Sequence, residues 1–237
     1  MNPHKLTIQI LLVCSVLFTS VNHSLAFAQK RKTPPGGRLA VVVDERLSAL
    51  RSTPQLSGKL VRRLGRGRLV AMRAARTSQD GIVFLLVNVT SRTHGWIQRE
   101  AIVSSYYSGN DQRLLRLINN STDYDRVMRA RIFLETFSRS PLRPEVLLQL
   151  GDAADEVSDK VTRDASRRIV TSVGFAPEFS YYLNYTGLDR YNRLGVGFVF
   201  DDVDKRLYYD GAAWREVIRR FPRSRQAQAA KERLRRL

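Results

Sequence analysis

The spacing of apolar residues changes period once along this chain, near residues 106–110, and that change divides what each half can fold into. Before it lie short apolar runs at 39–43, 47–50, 59–64, 69–72 and 82–89, then Gly95-Trp96-Ile97. They are separated by Arg51-Ser52-Thr53-Pro54, Gly65-Arg66-Gly67 and a polar loop at 90–94. Short strands at close spacing with glycine turns predict a small β-barrel. After the change the apolar residues recur at helical spacing: Leu114, Leu115 and Ile118, then Val127, Ala130, Leu134 and Phe137. Pro144 opens a further helix carrying Leu147, Leu150, Ala154 and Val157, and 160–173 reads as another. The chain closes with a helix over 211–221 (Trp214, Val217, Ile218, Phe221), a break at Pro222 and a helix over 224–237 (Ala227, Ala230, Leu234). The expected fold class is α+β and multidomain. A linker at 29–37 containing Pro34-Pro35-Gly36-Gly37 precedes a barrel at 38–104, and a helical domain follows at 108–237.

The order Leu50-Arg51-Ser52-x-Pro54, Gly58-Lys59-Leu60-Val61, Leu64-x-x-Gly67-x-x-Val70 and Gly95-Trp96-Ile97 resembles a bacterial SH3-like domain. Gly95 permits a tight approach, and Trp96 is expected to lay its indole across one end of the barrel. Where that family commonly has a tryptophan, this chain has Ile82-Val83-Phe84, so Phe84 joins Trp96 as a candidate ligand-binding residue. The resemblance implies cell-wall peptides or proteins as partners, and attachment to wall hydrolases.

Three further patterns mark the helical half: Leu147-x-x-Leu150-Gly151-x-x-Ala154, Ala130-x-x-Phe133-Leu134-x-x-Phe137, and Ala213-x-x-x-Val217-Ile218-x-x-Phe221-Pro222-x-Ser224. They resemble degenerate tetratricopeptide-like repeats, αα-hairpins in which a small residue on one helix leaves a slot for its neighbour. Similar repeats occur in periplasmic proteins, and they imply docking of a protein partner. An insertion at 174–210 interrupts them and holds ten aromatic residues. Among these, Tyr181, Tyr182 and Tyr191 are candidate sugar- or peptide-binding residues, with packing of the loop onto its own domain as the other reading. Residues 195–200 and 206–209 are expected to form a β-hairpin. Asp201, Asp202 and Asp204 between them lack the glycine and distal glutamate of a calcium loop.

Residues 1–28 read as a secretory signal peptide: Lys5 near the start, an apolar stretch, and Ala26-Phe27-Ala28 as a small-x-small cleavage pattern. An uncleaved anchor over 6–21 is the competing reading, although its sixteen residues fall short of the ~20 a spanning helix needs. Association with a membrane is expected only through that uncleaved segment. Cys14 follows Val13 within the apolar stretch, unlike a lipidation site, and cleavage after Ala28 removes the one cysteine. The expected location is exported, periplasmic or extracellular, and associated with the cell envelope.

The chain carries 40 Lys+Arg against 22 Asp+Glu, a net charge of +18, to which the signal segment contributes only Lys5. An exported basic protein meets wall glycan, anionic headgroups or acidic proteins rather than nucleic acid. The charge concentrates at residues 59–76, with seven bases and no acid, and at 212–237, where Arg219, Arg220 and Arg223 are candidate partner-binding residues. Without cysteine, and with His94 the one histidine beyond residue 28, a cysteine–histidine pair or a histidine-rich zinc site has no residues to use. No Gly-x-Ser-x-Gly elbow or phosphate loop is present. The sequence therefore predicts a non-catalytic binding or scaffold protein with no cofactor, no metal and no catalytic residues. It is expected to recognise cell-wall peptide, cell-wall glycan or an envelope protein. The alternative is an accessory subunit of a wall hydrolase, or such a hydrolase itself.

Overall fold

A computed structural model describes residues 33–171 and 186–237. The signal segment, residues 29–32 of the linker, Tyr181 and Tyr182 lie outside the described residues. The architecture is mixed α+β. Seven strands come first: β1 (Arg38–Val42), β2 (Ala49–Arg51), β3 (Leu60–Arg63), β4 (Leu69–Thr77), β5 (Val83–Asn88), β6 (His94–Gln98) and β7 (Ile102–Val103). They form one antiparallel sheet in the order β3-β2-β6-β5-β4-β1-β7.

The expected barrel is not closed by hydrogen bonds. Among the described residues β3 and β7, at the two ends, do not pair. β7 is only two residues long, and all four residues of β3 are exposed. The sheet instead curls around a core of its own. Val42, Leu50, Val70, Val87, Ile97 and Ile102, from six different strands, meet in one apolar cluster.

The helical half contains α1 (Asn110–Asn119), α2 (Asp123–Thr136), α3 (Arg143–Thr171) and α4 (Thr186–Asn192), then the hairpin β8 (Phe198–Asp201) and β9 (Arg206–Tyr209), then α5 (Ala212–Arg220) and α6 (Arg225–Leu234). The two helices expected after Pro144 are one, α3. Nothing between residues 152 and 171 breaks it, since that stretch has neither glycine nor proline. The hairpin falls where the sequence places it. Its Asp201 carboxylate accepts hydrogen bonds from the Val203 and Asp204 amides (2.8 and 3.0 Å), which makes it a turn-former.

β1 joins the two halves. Ala40 and Val42 face the sheet core, while Val41 and Val43 enter the helical core with Leu114, Val127 and Phe133. A strand buried on both faces reads as a continuous apolar run, which is why residues 39–43 do not alternate. Three arginines fasten the joint. Arg113 donates to the carbonyls of Glu100 (2.9 Å) and Ile102. Arg66 pairs with Asp125 of α2. Arg129, 7% exposed, donates to the Val43 carbonyl (3.3 Å) and to the Ser121 hydroxyl. Burial lowers the pKa of the Arg113 and Arg129 guanidinium groups, because a low-dielectric surround disfavours the charged form.

Candidate binding surfaces

The outer face of the sheet gathers the first two candidate residues. In β6, Ile97 is in the sheet core, so strand alternation turns its neighbour Trp96 to the opposite face. Trp96 therefore does not lie across an end of the core as expected; it is half-buried on the outer face. Gly95 makes this possible. A Cβ there would meet the Arg51 carbonyl oxygen at 2.7 Å and Leu50 Cγ at 2.8 Å, so only glycine lets β6 come this close to β2.

The register sets Leu60, Arg51, Trp96, Leu86 and Ala74 in one row across five strands. Leu60 and Ala74 are exposed, and Arg51, Trp96 and Leu86 are half-buried. In the adjacent row Phe84 lies between Arg76 and Gln98. The Arg76 guanidinium carbon stands 5.7 Å from the Trp96 ring centroid, within cation–π range. Arg51 Nη1 donates to the Gly58 carbonyl (2.8 Å), which holds the β2–β3 loop beside the row. The buried Arg51 Nε has no partner among the protein atoms. Phe84 is fully buried, so it offers no surface of its own, contrary to the expected contact role.

Tyr191 is also a core residue. It is 1% exposed and makes edge contacts with Tyr124 and Phe198, at centroid distances of 5.5 and 6.1 Å. Burial raises its phenol pKa, against the hydrogen bond it accepts from Arg190 (2.9 Å). It is closed to a ligand, which corrects its place among the binding candidates. The packing reading holds for Tyr191, which meets Phe198 of the insertion and Tyr124 of α2.

The carboxy-terminal helices present their arginines outward. Ala213, Trp214 and Val217 of α5 are buried, and Arg219, Arg220 and Arg223 are exposed. Arg220 pairs with Glu216 one turn away (3.0 Å). Arg233 departs from the expectation that it points away from the fold: it is half-buried and reaches Asp152 of α3 (3.2 Å).

The sequence reading did not single out a cleft lined by Arg62, Arg63 and Arg68, although these residues fall in the acid-free run at 59–76. The strong local charge is the signal that could have found it. His94, at the start of β6, is exposed. Among the described residues no three His, Cys, Asp or Glu side chains converge as a metal ion requires, and no helix is long and apolar enough to cross a membrane. Compared with protein-family models, curated proteins and solved structures, the chain gives no match.

Proposed function

We propose that this chain is an exported, non-catalytic binding protein of the cell envelope whose outer sheet face holds cell-wall peptide or glycan and whose helices dock a protein partner. In this reading the sheet is an SH3-like domain without a hydrogen-bonded closure, and the helix pairs are tetratricopeptide-like hairpins. The observation that carries it is the row Leu60–Arg51–Trp96–Leu86–Ala74. An indole edged by Arg51 and Arg76 offers a flat apolar ring for a sugar or peptide unit. The two guanidinium groups offer charge for the free carboxylates of wall peptides. The exported location rests on the signal pattern in residues 1–28.

Co-sedimentation with purified cell-wall sacculi tests this reading. The full chain is expected to sediment with them, and Trp96→Ala is expected to stay in the supernatant with its circular dichroism unchanged. Equal sedimentation of both proteins would refute the role given to this face.

A further inference from the structure

We propose that the cleft beside β3 is a second binding site, for an extended acidic peptide segment of a partner protein. This goes beyond the reading above, since it uses other residues and does not depend on Trp96.

The cleft has a volume of about 1060 Å³ and is lined by Arg62 and Arg63 of β3, Arg68 of the β3–β4 turn, Pro34 and Pro35 of the amino-terminal segment, and Val89 after β5, among others. No carboxylate is among its lining residues. Arg62, Arg63 and Arg68 are exposed. The ion pairs among the described residues leave all three without an acidic partner. Arg66 differs, since Asp125 already neutralises it and fixes it as part of the wall. The Glu45 carboxylate near the turn is engaged by the Arg66 amide (2.9 Å). Three exposed arginines without an acidic partner line one cleft, and an anion there offsets their charge while taking forked hydrogen bonds.

A second observation selects the class of anion. β3 is the end strand of the sheet, and its outer edge carries no ladder among the described residues. The Leu64 amide bonds the Ser48 carbonyl (3.2 Å), and Leu50 pairs with Arg62. By antiparallel alternation, Arg63 turns its backbone N–H and C=O to the open edge. An acidic lipid or glycan can satisfy the arginines. Only a peptide backbone can also continue the ladder, its side chains alternating between the Arg62 face and the Arg63 face of β3. Val61, 49% exposed, gives a neighbouring side chain an apolar contact.

The test is fluorescence anisotropy on the purified full chain with a labelled peptide of alternating glutamate and threonine. Arg62→Glu, Arg63→Glu and Arg68→Glu together are expected to weaken binding roughly tenfold or more, as three charge-assisted contacts become repulsive. The charge-matched control Arg219→Glu, Arg220→Glu, Arg223→Glu is expected to stay within about twofold, because exposed charges at a distance are screened. Trp96→Ala is expected to leave peptide binding intact, so failure of this site and failure of the wall-binding face are distinguishable. Circular dichroism confirms that each variant is folded. Equal loss in the two triple variants would overturn the proposal. So would binding of polygalacturonate or of phosphatidylglycerol vesicles as tight as that of the peptide, since the site would then read charge alone.

Discussion

Gly151 of α3 lies flat against the indole of Trp214. A Cβ at position 151 would fall 2.7 Å from Trp214 Cε2, and the indole N–H donates to the Asp152 carboxylate one residue on (3.1 Å). The same carboxylate accepts from Arg233 of α6 (3.2 Å), so one turn of α3 fixes both closing helices.

Gly151→Ala follows directly. On an isolated helix alanine is favoured over glycine by about 1 kcal/mol. Here the added methyl overlaps a fully buried ring, and overpacking of this kind costs ~1–3 kcal/mol. The variant is expected to be less stable than the parent in denaturant titration, with a shifted Trp214 fluorescence maximum in the native state. A stability gain would mean that the slot is not tight.

Trp96 and Ile97 are neighbours on opposite faces, and their truncations should part company. Ile97→Ala removes a core side chain and is expected to cost ~2–5 kcal/mol. Trp96→Ala uncovers only part of a half-buried indole, a loss of ~1–2 kcal/mol by area. Thermal melting of the two variants side by side decides the facing of β6. A larger loss at Trp96 would place the indole in the core after all.

Much of this arrangement is legible in the residue pattern. The change of apolar period separates the seven-stranded sheet, which ends at Val103, from the first helix, which begins at Asn110. The glycine of Leu147-x-x-Leu150-Gly151 marks the slot for a neighbouring helix, although Trp214, its occupant, is remote in sequence. What the pattern hides has physical causes. The face of Trp96 depends on strand parity, which a one-residue offset inverts. Tyr191 beside Arg190 and Arg193 looks like a wet tyrosine, because the partners that bury it, Tyr124 and Phe198, come from other elements. Arg129 sits among the polar residues of α2 in sequence, yet it is buried because the carbonyl of Val43, in the other half of the chain, needs a donor.

Arg129 therefore ties the halves together. Arg129→Ala leaves the Val43 carbonyl and the Ser121 hydroxyl without this partner in a buried place, and each such loss costs ~1–3 kcal/mol. Loss of stability is expected together with faster proteolytic cleavage between residues 104 and 110, the segment that bridges β7 and α1. Mass spectrometry of the first fragments reads this. Unchanged cleavage there, with stability lost, would show that Arg129 serves α2 alone.

Tyr209 supplies the last test, through pH. Its phenol is 3% exposed, accepts a hydrogen bond from the Ala213 amide (2.7 Å) at the start of α5, and stands edge-on to Trp214 at 5.3 Å. Burial drives its pKa well above the usual tyrosine value of 10.0. The folded state then holds the proton more tightly than the unfolded chain. The stability from Tyr209 is complete below pH 10 and is lost as the pH rises from there towards the folded-state pKa, because the unfolded phenol ionises first. Tyr209→Phe removes the acceptor for the Ala213 amide and is expected to cost ~0.5–1.5 kcal/mol at neutral pH. It also removes one ionisation that favours unfolding, so its stability should fall less steeply than the parent's above pH 10. Denaturant titrations at several pH values across that window compare the two slopes. Parallel slopes would mean that the Tyr209 phenol ionises as readily folded as unfolded, which is incompatible with its place between α3 and α5.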